Sequence, residues 1–196
     1  MNLPNKITIS RIILIPFVLF FYLADFIPYG KAIAIALFVI AAYTDHLDGH
    51  IARKYNLVTN FGKFLDPIAD KLLVASALFL IICDGTVASP WGVIVATIII
   101  GREFMVSALR LVASSKGLVL AADIWGKIKT AVTDVALPLF MFVALNIQYG
   151  FLGDTFGKVF TIVAYVALGI ATLLTVISGV NYVVKNKAVF KEEDNK

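Results

Sequence analysis

The chain has 196 residues, 60% of them apolar and only 15% charged, and its mean hydropathy is +0.92. Soluble domains are roughly half apolar and about a quarter charged, and one of this length has no core large enough for the surplus, so composition excludes a soluble globular protein and predicts an integral membrane protein. The net charge of +4 does not mark a nucleic-acid binder, because the basic residues gather on one side of the membrane layout that follows.

Runs long enough to span a bilayer, about 20 residues each, predict helices over 9–27, 31–52, 65–84, 90–112, 127–146 and 157–184. In the first, Lys6 and Arg11 precede an apolar stretch, and Ala32-Ile33-Ala34 has the form of a signal-peptide cleavage site. Asp25, Pro28 and Lys31 interrupt the approach to it, so the segment reads as a retained span. Cys83, the single cysteine, closes the third run, has no intrachain partner and reads as a small buried hydrophobe. Pro28, Tyr29, Gly30, Pro90, Trp91, Tyr149 and Gly150 mark the short turns on one side, with their aromatic belt. The expectation is an all-α, polytopic membrane protein: six transmembrane helices in a single bundle, one domain over 1–196, with a frayed, charged tail at about 186–196. With the N-terminus inside, 14 of the 17 basic residues fall on or near the inner side, leaving Lys31 and Lys158 outside and Arg102 within a span. The positive-inside rule then places both termini, and the face that carries the acidic cluster described next, in the cytoplasm.

Four of the 13 acidic residues fall between Asp45 and Asp70. Asp45 and Asp48 are three apart near the end of the second helix, and Asp66 and Asp70 are four apart near the start of the third, so each pair shares a face. A short loop joins the two helices, which lets all four carboxylates converge at one level. Counting about 1.5 Å per residue from Lys31 puts Asp48 roughly 26 Å along its helix, near an interface and not at mid-bilayer. Carboxylates crowded this way, two of them at the negative end of a helix dipole, require a cation. Hard oxygen donors without cysteine or a histidine trio suit Mg²⁺, Mn²⁺ or Ca²⁺ more than zinc. A salt-bridge knot with Arg53, Lys54, Lys63 and Lys71 would explain the charge balance but neither the glycines nor the tight spacing. Gly49 and Gly62 allow close backbone approach to a ligand, Ala52 keeps the same surface small, and Arg53 suits a phosphate.

Read as one string, Asp45-x2-Asp48-Gly49-x2-Ala52-Arg53-x8-Gly62-x3-Asp66-x3-Asp70 fixes eight positions with set gaps. It resembles in full the signature of the CDP-alcohol phosphatidyltransferases, membrane enzymes that move a phosphatidyl group from CDP-diacylglycerol to an alcohol and release CMP. Asn2-Leu3-Pro4-Asn5, Asn60 to Pro67, Gly101-Arg102-Glu103-Phe104 and Gly126 to Thr130 look like the bacterial branch of that family whose acceptor is sn-glycerol 3-phosphate. The resemblance implies that Asp45, Asp48, Asp66 and Asp70 hold a divalent pair, Mg²⁺ or Mn²⁺, and that Asp70 is the general base. It further implies that Asp45, Gly49, Ala52, Arg53 and Gly62 line the CDP site, and that the protein is a homodimer. His46 and His50 occupy positions the signature leaves open and read as bystanders.

An acceptor carrying a phosphate needs a second cationic site. Glu103 and Arg110, seven apart with Ser107 beside them, share a face of the fourth helix, and Lys127, Thr130 and Asp134 run along the fifth. Arg110 with Lys127 is the expected phosphate clamp. Arg102, roughly 17 Å into its span, reads as a buried partner of the Glu103 neighbourhood or of Asp134, and Lys129 and Lys116 read as inner-face charges that attract anionic headgroups. Inositol 1-phosphate is the alternative acceptor. A cation-coupled transporter is the alternative of another class, disfavoured because such sites lie near the midplane; a prenyltransferase or an inactive scaffold fits less well.

Overall fold

The computed structural model of the protein describes residues 2–54, 59–116, 118, 120 and 124–187; within its helices the side chains of 3, 4, 45–54, 60 and 63 lie outside that description. Its described residues form six helices: α1 (Leu3–Leu23), α2 (Gly30–Lys54), α3 (Asn60–Cys83), α4 (Trp91–Ser115), α5 (Ile124–Tyr149) and α6 (Gly153–Lys185). The segments match the predicted runs but extend past them where capping chemistry operates. α1 begins six residues earlier than expected, from extended Asn2 with a proline in its first turn, a position where the missing N–H costs nothing. α3 begins five residues early because the Thr59 hydroxyl accepts the Gly62 N–H at 3.0 Å. Of the tail expected at 186–196, Asn186 caps α6, and 188–196 lie outside the described residues.

Polar and apolar residues are distributed the wrong way round for water. Arg11, Thr175 and Ser178 are fully buried, and Lys129 is 2% exposed, whereas Phe20, Ile162 and Leu173 stand out at 52%, 62% and 65%. Large apolar side chains over the whole outer surface identify lipid as the solvent. Four helices, α1, α4, α5 and α6, are long and apolar enough to cross a bilayer by length and composition. Of the two other helices expected to span, α2 is apolar over Gly30 to Thr44, as far as its side chains are described, and α3 carries Asp66, Asp70 and Lys71 in its first half.

α1 packs against α2 and α3, α5 against α2, α3 and α6, and α4 against α3 and α6. Lipid tails are as apolar as leucine, so helices here associate by close contact of small residues more than by burial. Ala34, Ala41, Ala69, Ala77, Ala136, Ala164 and Ala171 are all fully buried. Around them Phe38, Leu78, Ile99, Leu137, Phe140 and Met141 fill the core. At Gly30 a Cβ would lie 2.5 Å from the Phe21 carbonyl oxygen, so only glycine lets α2 start this close to the last turns of α1.

One end of the bundle is laced by polar contacts. Tyr22 donates to Asp84 at 2.5 Å, Lys31 pairs with the same carboxylate at 3.5 Å, and Tyr29 stacks on Tyr149 with centroids 5.0 Å apart. Cys83, expected to be buried, is exposed here, because it ends α3 and faces outward beyond the packed turns. The opposite end, where α2 finishes and α3 begins, carries the charged residues considered next.

Candidate functional site

The first turns of α3 supply Asp66 and Asp70, both half-buried. Helical spacing places them on one face, and α1 braces that segment from outside. Thr8, 1% exposed, donates to Asp66 Oδ1 at 2.7 Å. One turn earlier the Thr59 hydroxyl donates to Asn5 Oδ1 at 2.9 Å. Gly62 sits in the same knot, where a Cβ would lie 2.7 Å from Asn5 Oδ1 and 3.2 Å from Thr59 Oγ1. Arg11 is buried on the α1 face that holds Thr8. The N-terminal turn of α1 therefore fixes both the entry of α3 and the rotamer of its first carboxylate.

Asp70 borders a cleft between α3, α4 and α5 whose polar lining also includes Lys71, Glu103, Lys129, Thr130 and Asp134. Glu103 is the hub. Lys129 makes a short ion pair with it and Arg102 approaches to 3.4 Å, in keeping with the expectation that Arg102 partners the Glu103 neighbourhood. Gly179 and Gly126 make room for that guanidinium, since Cβ atoms there would lie 3.1 Å from Arg102 Cγ and 3.3 Å from its Nη2. The expectation that Lys129 faces headgroups is corrected: it is 2% exposed and tied to Glu103. Its register gave the signal, because Lys129, Thr133, Ala136, Leu137 and Phe140 form one inward stripe of α5 at spacings of four, seven, eight and eleven.

Of the expected phosphate clamp, Lys127 lies on the exposed side of α5, two residues off that stripe. Arg110, exposed near the end of α4, donates from Nε to the Tyr182 hydroxyl at 3.1 Å and lies 5.6 Å from the ring centroid. The structure thus brings Asp70, Lys71, Glu103, Lys129 and Asp134 to one cleft, with Arg110 and Lys127 outside its lining.

Asp45, Asp48, Gly49 and Ala52 recur at spacings of three, four and seven on helical α2, which puts them on one stripe; their side chains and that of Arg53 lie outside the described residues. Among the described residues no three carboxylate, histidine or cysteine groups gather as a metal site. Asp66 and Asp70 offer hard-oxygen donors of the kind that suit a divalent cation, and Thr8 holds one of the two in place. Beside the cleft, an apolar groove of about 590 Å³ runs between α2 and α5, lined by Phe38, Tyr43, Pro138, Phe142 and Phe160 among others. Asp134 borders both spaces.

Comparison with known proteins agrees with this arrangement. Residues 1–186 match the family model described as CDP-alcohol phosphatidyltransferase. The chain is 43% identical over 201 residues, 97% of each protein, to CDP-diacylglycerol--glycerol-3-phosphate 3-phosphatidyltransferase of Bacillus subtilis (strain 168). It is 38% identical to the protein of the same name from Rickettsia bellii (strain RML369-C), over 92% of this chain and 93% of that one. A probable phosphatidylglycerophosphate synthase of Mycobacterium tuberculosis (strain ATCC 25618 / H37Rv) is 37% identical, over 94% of this chain and 81% of that one. The signature on α2 and α3, the helical membrane fold and these matches together establish that the chain is a transferase and belongs to the CDP-alcohol phosphatidyltransferase family.

Proposed function

We propose that the protein transfers the phosphatidyl group of CDP-diacylglycerol to sn-glycerol 3-phosphate, yielding phosphatidylglycerol phosphate and CMP. The observation that carries this reading is that the α3 carboxylate Asp70 borders a cleft lined by Lys71 and Lys129 as well as by acids, and that this cleft shares Asp134 with an apolar groove. A lipid pyrophosphate and a small anionic alcohol need those three surfaces side by side. The relatives named above bear that activity in their names.

The family generally depends on a divalent metal; Asp45, Asp48, Asp66 and Asp70 are the residues that would hold it, as one or two Mg²⁺ or Mn²⁺ ions. When bound, such ions neutralise charge that builds on the phosphoryl oxygens and align the entering and leaving oxygens. Asp45, Gly49, Ala52, Arg53 and Gly62 form the CDP site. Asp70, at the boundary between carboxylates and cleft, takes the proton from the acceptor hydroxyl. The hydroxyl oxygen forms a bond to the lipid-side phosphorus as the bond to the CMP oxygen breaks, and CMP leaves with that electron pair. Arg110 holds the acceptor phosphate, with Lys127 on the exposed approach. The Glu103–Lys129 pair keeps the cleft wall rigid and its charge balanced. The bias of basic residues places this end, and both termini, at the cytoplasmic face of the cell membrane, and the working unit is a homodimer surrounded by membrane lipid.

The test is CMP release from CDP-diacylglycerol by the purified protein in detergent, with and without chelation of Mg²⁺, across glycerol 3-phosphate, inositol 1-phosphate, serine and phosphatidylglycerol. Chelator-sensitive release with glycerol 3-phosphate alone is expected. Preference for another acceptor would overturn the assignment of substrate while leaving the family chemistry intact.

A further inference from the structure

Arg110 is a long, exposed side chain near the end of α4, and such side chains lose up to about 2 kcal/mol of rotamer entropy when fixed. A residue that must receive a phosphate is better placed if something else holds it beforehand. Tyr182 of α6 is built to do this. It is 2% exposed and clamped by Val106 and Leu109 of α4, the second of these adjacent to Arg110 in the chain, and by Leu120 and Val183. Asn186 caps the same turn by donating to the Tyr182 carbonyl at 2.7 Å. The ring therefore has little freedom, and its hydroxyl is presented at a fixed point, where it accepts from Arg110 Nε at 3.1 Å. The guanidinium also lies within 5.6 Å of the ring centroid, inside the range of a cation–π contact.

The choice of nitrogen matters. With Nε engaged, four of the five guanidinium N–H groups, those on the two terminal nitrogens, remain for an anion, and the planar group cannot rotate without breaking the bond to the hydroxyl.

We infer that Tyr182 is a positioning residue for the acceptor phosphate, acting through Arg110: it fixes the guanidinium by its Nε edge and leaves the terminal nitrogens to the phosphate. This rests on the reading of Arg110 as the acceptor-phosphate residue. A lysine at 110 has one nitrogen, which cannot be held by the hydroxyl and also present a two-nitrogen fork to an anion, so the arrangement belongs to arginine.

The experiment compares initial rates of Tyr182→Phe, Arg110→Lys, Arg110→Ala and the Arg110→Lys/Tyr182→Phe double variant in detergent, varying each substrate at saturation of the other. Tyr182→Phe keeps the ring and the packing, and thermal unfolding should confirm an intact fold. It is expected to raise the KM for glycerol 3-phosphate about fivefold, the size of one ordinary hydrogen bond, with the CDP-diacylglycerol KM unchanged. In the Arg110→Lys background the same substitution should have no further effect. An unchanged acceptor KM in Tyr182→Phe, with a raised one in Arg110→Ala, overturns the positioning role and leaves the acceptor site standing. Arg110→Ala affecting both substrates equally, or neither, overturns the acceptor-site reading and this inference together.

Discussion

Replacing Thr8 by Val tests whether α1 is part of the reaction machinery or only a membrane span. The two side chains have nearly the same shape, so the substitution exchanges one hydroxyl for a methyl at a site 1% exposed and leaves the packing in place. What is lost is a 2.7 Å hydrogen bond to Asp66 Oδ1. Bonds to a charged acceptor contribute about 1.5–3 kcal/mol, and a buried acceptor that loses its donor keeps its desolvation cost. If Asp66 is a metal ligand, part of that energy orients its second oxygen, and partners of this kind typically set 10–100-fold in metal affinity. Thr8→Val should therefore weaken Mn²⁺ binding about tenfold, read by electron paramagnetic resonance titration of the purified protein. The Mg²⁺ concentration that gives half-maximal CMP release should rise in parallel. Thr8→Ser, which restores the hydroxyl, should recover most of both. Wild-type Mn²⁺ affinity in Thr8→Val, alongside its loss in Asp66→Asn, would refute the reasoning.

Gly62→Ala should lower the Tm in detergent by several degrees, since the new Cβ would lie 2.7 Å from Asn5 Oδ1 and overpacking costs about 1–3 kcal/mol; adding Asn5→Ala should return part of the loss if the clash is the cause. Lys129→Ala leaves half-buried Glu103 with the looser Arg102 contact at 3.4 Å, so Tm should fall, with a loss of stability of up to about 3 kcal/mol as for breaking a buried pair, while Lys129→Met with Glu103→Gln should recover most of it. Asp70→Asn should fold and bind CDP-diacylglycerol, measured by isothermal calorimetry, yet release no CMP; near-normal turnover would remove Asp70 from the role of base.

How far the sequence could be read depended on the kind of signal. Six helices were legible because bilayer thickness sets the length of an apolar run, and the chain has six such runs, but their ends were not, because Asn2 and Thr59 start α1 and α3 several residues outside them. Lys127 and Lys129 show the limit more sharply. Two residues apart and chemically identical, they read as phosphate clamp (Lys127) and headgroup-facing charge (Lys129), yet Lys127 is exposed and Lys129 is 2% exposed against Glu103. The helical stripe shared with Thr133 and Ala136 separated them, and only the packing of α5 on α2, α3 and α6 shows which stripe faces inward.

What the sequence determined on its own was the solvent and the chemistry: apolar content far beyond any soluble core, and four aspartates at spacings that only a helix pair can bring together. Both are local properties, fixed by residue type and by the 3.6-residue period. The tertiary structure decided how distant elements complete the site: Thr8 on Asp66 across 58 residues, Lys129 on Glu103 across 26, and Tyr182 on Arg110 across 72. Hydrogen bonds and ion pairs of this range depend on which helix faces meet, and no periodicity within one segment encodes that choice.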